Sequence, residues 1–556
     1  MKYSTHVVIQ SRALRSDCAF GSASFVLPNL LILLLSLSFS AGMARAQCGS
    51  LTAPSTTWSN GNGTWGISGN WTSGTPNAST NACILDGTST VTLDTNGNAF
   101  GLQLASGNNL NVNAGQSLNL VSGTSLNYGR INNSGGINNI FGANLFNYGT
   151  LINTGSSGAL YNDSTSTLNN YGGINTLGPL TNYGTLTNYG GIFSGGAGSG
   201  SVANYGTLIN TSAASITFNI SSFLNSSGAT LINSGTIDMF DGGYFNAGTI
   251  NNSGTMTFAY PASQFVSSGT INNSGTINNN FYNTFINSGK LNNSGTINNI
   301  GSPPASPYYS AYFTNTGTIN NSGTINNNYL GIIVNSGTIN SSGTISNSGG
   351  ITNSGSFTNS GSVTISSSGL FTTSTNYTQK GGSTLVDGTL TATGSAIVDI
   401  QGGSLGGTGT INGNVLMAGT MMPGDAPGTL TIFGNYEQTG SGMFDELIGP
   451  SASFLNVNGN VFLDPGAFLE ITLLNGFDPI NQTFGIMDYS SLSGQFANGS
   501  SFWDDGFLWD ITYGQNQINV TAVSTPEPGS LLLLFIGLGV PAFYMHFKMR
   551  KTQRLA

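Results

Sequence analysis

The residues of this chain whose types suit chemistry are few and poorly matched. Two groups of carboxylates stand out, Asp445 with Glu446, and Asp504 with Asp505 and Asp510. Glycoside cleavage needs two acids facing one another across a bond. Adjacent residues of a strand point to opposite faces, so neither adjacent pair makes such a dyad by itself, and solvated turn acids explain them more simply. Both histidines, His6 and His546, lie outside the body of the chain. Ser-His-Asp, Cys-His and His-ligated metal chemistry therefore has no place in that body.

Between Gln47 and Gly529 the basic residues are Arg130, Lys290 and Lys380, against nineteen acids, a net charge of −16. That balance offers no footprint for nucleic acid or anionic lipid, and little to hold an acidic sugar. No Asp-x-Asp-x-Asp-Gly calcium loop occurs. Gly407-x-Gly409 with Gly413 has neither the spacing nor the following helix of a dinucleotide site. No catalytic residue, metal ligand or cofactor is expected. With 81 Gly and only 6% charged residues in 556, against about 25% in ordinary globular chains, the composition points to a repetitive scaffold.

The scaffold is legible between Asn119 and Ser368, where Asn-x-Gly-Thr-Ile/Leu-Asn-Asn keeps returning. The paired glycines Gly269 and Gly275, Gly289 and Gly295, Gly317 and Gly323, Gly337 and Gly343 step by 20, 28 and 20 residues. In Thr270-Ile271-Asn272 the polar, apolar, polar order reads as a three-residue strand with one side chain inward. Asn273-Ser274-Gly275 reads as a corner using left-handed backbone angles. Stacked on its copies at ~4.8 Å, such a strand buries an Ile column and sets Asn above Asn at the corners. The expected fold is all-β, a right-handed parallel β-helix of about 20 residues per coil, handed by the crossover rule. A left-handed prism competes, since Ile339, Ile345, Ile351, Phe357 and Val363 recur every six, and so does disorder over part of the segment.

Tryptophans mark the ends: Trp58, Trp65 and Trp71 precede the repeats, and Trp503 and Trp509 follow them. Large atypical residues are what a solenoid needs where its stack must be sealed. The chain divides into 1–46 as a signal peptide, 47–118 as N-terminal cap and first coils, 119–368 as Asn/Gly/Ser/Thr-rich repeats, 369–479 as a second solenoid stretch, 480–523 as C-terminal cap strands and 524–556 as a terminal signal. The insertion 302–309 (SPPASPYY) is expected to project sideways.

Both termini read as addresses. Lys2, Arg12 and Arg15 precede an apolar run over 30–39, and Ala44-Arg45-Ala46 has the small-x-small form of a cleavage site before Gln47. An uncleaved signal anchor is the competing reading. Cleavage removes Cys18 and leaves Cys48 and Cys83, an even pair able to form a disulfide in an exported chain. At the other end Pro526-Glu527-Pro528 precedes an apolar stretch over 530–547, about 27 Å as a helix, followed by Lys548, Arg550, Lys551 and Arg554. The basic tail is expected to stay cytoplasmic.

This tripartite end closely resembles the PEP-CTERM sorting signal of Gram-negative bacteria. The resemblance implies that Pro526, Glu527 and Pro528 form the tripeptide read by a membrane-embedded exosortase, and that the transmembrane helix and tail are removed. It further implies a surface or extracellular passenger, often in bacteria that make exopolysaccharide or biofilm. Gly407-Thr408-Gly409-Thr410-Ile411-Asn412-Gly413-Asn414 and the stretch 423–430 (PGDAPGTL) resemble the distal part of autotransporter passenger domains. No counterpart of that family's membrane barrel is expected, since fewer than forty residues follow Val520.

The expectation is a non-catalytic structural or adhesive protein displaying an uncharged Asn/Thr/Ser face to exopolysaccharide. It would be membrane-bound only until processed. The alternative is a polysaccharide-active β-helix lyase or hydrolase, told apart by acids clustered on one face. Ice binding through Thr arrays is a more remote option.

Overall fold

A four-residue strand is the unit of this protein. The computed structural model describes residues 48, 51–155, 157–195, 200–259, 263–302, 309–424, 428–474 and 476–524, all within the unit Cys48–Ala556. The repeat Thr-Ile-Asn-Asn, or its variant Lys-Leu-Asn-Asn, forms strands such as Thr270–Asn273, Lys290–Asn293 and Thr318–Asn321. With a period of two, the second and fourth residues point inward and the first and third outward. The expected three-residue strand with one inward side chain is therefore corrected. Asn273 is not a corner residue but the last of the strand, 1% exposed, in the interior.

Up to the C-terminal hairpin the strands pair in parallel with those a full turn later, as Thr270–Asn273 does with Lys290–Asn293. Three sheets result among the described residues, of 21, 20 and 22 strands. The first contains Thr270–Asn273, the second Thr276–Asn280 and the third Thr284–Asn287. The protein is thus a parallel β-solenoid, and at ~4.8 Å per turn its stack is roughly 95 Å long. Helical structure among the described residues is confined to 3-10 turns, of which Ser68–Asn70 is one.

Turn length along the first sheet varies from 18 to 28 residues, measured between stacked asparagines. The 28-residue turn contains the insertion, of which 303–308 lie outside the described residues. The six-residue recurrence of Ile339, Ile345, Ile351 and Phe357 is one compact 18-residue turn, carrying one apolar residue to each of three successive sheets.

The core is built of columns. In the second sheet Ile131, Leu151, Ile174 and Ile192 stack in register, and the column continues through Ile216 and Ile237 to Val363. Each such side chain contributes about 1.5–3 kcal/mol on burial. Beside the apolar columns run buried amide ladders. In the first sheet Asn127, Asn147, Asn170, Asn188 and Asn210 each donate from Nδ2 to the Oδ1 of the next at 2.6–2.9 Å. Asn233, Asn252, Asn273 and Asn293 carry the chain on to Asn321 at 2.7 Å. Every step satisfies groups that would otherwise be stranded in an apolar interior. In the second sheet the equivalent column changes to Phe218, Met239 and Phe258 before returning to Asn279. There the interior is aromatic, with Phe265, Phe285 and Phe313 packed alongside.

The corner glycines act otherwise than expected. Gly254, Gly275, Gly295, Gly323 and Gly343 all lack positive φ. Each lies so close to the carbonyl oxygen of the glycine one turn earlier that a Cβ would overlap it. Glycine is needed here for close approach of stacked backbones rather than for a left-handed conformation. Left-handed residues do occur at the wider corners, and some are bulky: Ile220, Phe281, Tyr282 and Tyr329.

At the N-terminal end Trp58, Trp65 and Trp71 are buried and packed edge to face at 5.0 and 4.9 Å. Cys48 and Cys83 are bonded as a disulfide. At the C-terminal end the strands Ser501–Asp504, Phe507–Tyr513 and Gln517–Val523 turn antiparallel. Trp509 is buried there. Trp503, expected to seal the end as well, is 64% exposed. The signal cleavage residues Ala44, Ala46 and Gln47, the tripeptide Pro526-Glu527-Pro528, the apolar stretch 530–547 and the tail residues Lys548, Arg550, Lys551 and Arg554 lie outside the described residues.

Candidate ligand groove

Four sequence-singled acids have structural duties. The last strand of the second sheet, Phe468–Leu473, would present an open edge of unpaired N–H groups, the hazard of any terminal strand. Side chains close it. Asn498 Oδ1 accepts from the Leu469 amide at 2.8 Å, Asp504 from Ile471 at 2.7 Å and Asp505 from Leu473 at 2.8 Å. Asp510 accepts from the Ser501 hydroxyl across the hairpin. Asp445 faces outward, takes a hydrogen bond from Thr472 Oγ1 and sits beside Glu470 on the neighbouring strand. Burial, then the charge of Asp504, raises the Asp445 carboxyl above its ordinary range. Burial, then Asp445 and Asp504, does the same to Glu470. These three carboxylates share a neighbourhood that sequence spacing did not reveal, because Glu470 lies a full turn from Asp445.

Glu446 corrects the reading of these acids as solvated turn residues. It points into the core between Phe444 and Ile448, is fully buried, and neither carboxylate oxygen has a protein hydrogen-bond partner. Burial, then the charge of Asp445, pushes its pKa well above the ordinary carboxylate range. The folded state keeps this proton where the unfolded chain has lost it, so stability is fullest below about pH 4.3 and falls as pH rises. Within that window the loss is up to about 1.4 kcal/mol per pH unit. Thermal melts of the parent and of Glu446→Gln from pH 4 to 8 should diverge accordingly, with the variant gaining relative stability as pH rises. Parallel curves would show that Glu446 does not hold its proton in the fold.

A longer hollow lies elsewhere. A groove of about 570 Å³ runs along the first sheet, from Ile232 to Ser360. Its floor is the outward third residue of successive strands: Asn251, Asn272, Asn292, Asn320 and Asn340. Its rim is the corner serine that follows each buried asparagine, among them Ser253, Ser274, Ser294 and Ser322. Six stacking steps at ~4.8 Å, from the strand of Ile232 to that of Thr358, give it a length of roughly 29 Å. The floor amides form a second ladder: Asn272 donates to Asn251 at 2.9 Å, Asn292 to Asn272 at 2.8 Å and Asn320 to Asn292 at 3.0 Å. This outer ladder donates towards the N-terminus, whereas the buried one donates towards the C-terminus.

A ladder amide spends one N–H and one lone pair on its neighbours, leaving one of each for solvent or ligand. The rim hydroxyls of Ser253, Ser274 and Ser294 donate to backbone carbonyls of the previous turn and keep their lone pairs free to accept. The groove therefore offers donors and acceptors at a fixed axial interval. None of its lining residues is ionisable. Between Asp241 and Asp387 the only charged residues are Lys290 and Lys380.

Sequence reasoning expected an uncharged Asn/Thr/Ser face but not a groove. The available signal was the Asn-Asn doublet, because a period of two sends the first amide outward and the second inward. No family model matches the chain, and no curated protein matches it.

Proposed function

We propose that this protein is an exported, non-catalytic surface or matrix solenoid whose axial groove holds one strand of a neutral exopolysaccharide. In this reading the coils wind right-handed, residues 1–46 are a signal peptide, and 524–556 are a PEP-CTERM-type sorting segment. A transmembrane helix over 530–547 then anchors the chain until an exosortase acts at Pro526-Glu527-Pro528. The Cys48–Cys83 disulfide suits an oxidising compartment.

The observation that carries the reading is the uncharged, regularly spaced Asn and Ser lining of the groove. Hydroxyls of a linear sugar polymer pair with amide donors and acceptors, and an extended β-linked hexopyranose chain advances per residue by a distance close to the rise of one turn. An acidic polymer would find no cation along the lining.

The competing enzyme reading draws on Asp445 beside Glu470 near a smaller hollow that Asp445 helps to line. Asp504 in that neighbourhood is already committed to the Ile471 amide.

Affinity electrophoresis of the full chain in gels containing a neutral β-glucan or an acidic uronan tests these readings together. Retardation by the neutral polymer alone is expected, and its loss in an Asn292→Leu/Asn320→Leu variant. No retardation by the neutral polymer would overturn the groove reading. Shortening of either polymer would overturn the non-catalytic one. Expression with and without 524–556 in a host carrying an exosortase tests sorting, and an unchanged mass of the full chain would remove that claim.

A further inference from the structure

The corner column that forms the groove rim begins, towards the N-terminus, with four tyrosines. Tyr128, Tyr148, Tyr171 and Tyr189 each follow a buried ladder asparagine, and backbone bonds fix their register: the amide of Tyr148 donates to Asn127, that of Tyr171 to Asn147 and that of Tyr189 to Asn170. Held one turn apart, the rings must stack. Successive centroids lie 4.9, 4.8 and 4.4 Å apart, with interplanar angles of 7°, 11° and 3°. A second pair, Tyr183 and Tyr205, stacks at 4.6 Å and 9° on the other edge of the same sheet. The rings of the four-membered column are between 38% and 42% exposed.

Their faces are largely taken up by one another, so the column is poorly suited to cradle a sugar ring face to face. Solvent meets the ring edges, which carry the hydroxyls and the carbons ortho to them. Electron-rich rings in near-parallel contact share an electron hole, which eases removal of an electron and lets the hole pass along the stack. Burial, then the neighbouring phenols Tyr189 and Tyr148, raises the Tyr171 pKa to about 12, so this phenol enters any oxidation in its neutral form.

We propose that the Tyr128–Tyr148–Tyr171–Tyr189 column is a site of oxidative tyrosine coupling that joins two copies of this chain covalently, with hydrogen peroxide and a haem peroxidase as the oxidising class. One phenol on each copy gives up one electron and one proton. The peroxide takes both electrons and both protons and leaves as two waters. The two radicals join through their ortho carbons, and each ring regains aromaticity as its ortho hydrogen moves to oxygen. Coupling occurs between copies because the carbons that must meet lie at the exposed edges, whereas neighbours within one column oppose their faces.

The test treats the purified full chain with a haem peroxidase and hydrogen peroxide, reads dityrosine fluorescence and denaturant-resistant dimers, and maps the linked peptides by mass spectrometry. Links are expected to concentrate at these four tyrosines, although Tyr282, Tyr312 and Tyr329 are equally or more exposed, at 47%, 42% and 54%. A Tyr148→Phe/Tyr171→Phe variant keeps the stacked rings and the fold, as circular dichroism would confirm, but removes the central phenols. Its dimer yield should fall several-fold, including at Tyr128 and Tyr189. Links spread over tyrosines in proportion to exposure, links formed within one copy, an unchanged yield in the variant, or no dimer at all would each overturn the proposal.

Discussion

Gly295→Ala is expected to disrupt the middle of the rod, whereas Gly350→Ala, a few turns away, should be silent or slightly stabilising. A Cβ on Gly295 would overlap the Gly275 carbonyl oxygen, and that oxygen cannot retreat because it accepts the Thr296 amide at 2.9 Å. Relief requires adjacent turns to separate along the column, which breaks the ladder on both sides. The loss should reach or exceed about 3 kcal/mol, the upper end of overpacking penalties. At Gly350 a Cβ meets nothing within 4 Å and φ is not positive, so the smaller entropy of the unfolded chain should stabilise by about 0.4–1 kcal/mol. Thermal melts with limited proteolysis check both. A normal melt for Gly295→Ala would mean that the turns are not in close contact.

The second large effect separates two neighbours of one residue type. Asn293→Leu should cost roughly 2–5 kcal/mol, because it takes away the acceptor that orders the Asn273 amide and leaves the Asn321 acceptor without its donor in the interior, an unmet buried group being worth about 1–3 kcal/mol. Asn293 also donates to the Thr324 carbonyl at 3.1 Å, and that bond is lost with it. Asn292→Ala touches only the outer ladder and should stay within about 0.5 kcal/mol of the parent. In a solenoid each turn contacts only its neighbours, so the damage from Asn293→Leu should be local. Hydrogen exchange should show lost protection across the Lys290–Asn293 and Thr318–Asn321 strands, with distant turns unaffected. Equal effects at the two positions would mean that inner and outer amides are not distinguished by burial.

These contrasts show where the sequence was readable. The Thr-Ile-Asn-Asn unit announced a short strand with an inward Ile, and the recurring glycines announced the turn length, because both are local periodic signals. Unreadable was the reason for the glycines, which depends on the backbone one turn below. Unreadable too was the burial of Glu446, whose alternating strand Met443–Ile448 looks amphipathic in isolation until one sees which face the stack encloses. The acids of the C-terminal hairpin looked like candidates for chemistry, yet Asp504 and Asp505 close the edge of a strand more than thirty residues earlier in the chain.

Alternation along the chain was enough to determine a stacked all-β architecture, its apolar columns and its nearly neutral repeat exterior, since side-chain direction in a strand follows from position alone. The tertiary structure alone decided which tyrosines stack and where the outer amides gather into a groove. Those outcomes depend on register between residues 18 to 28 positions apart, set by backbone pairing from turn to turn rather than by any local preference.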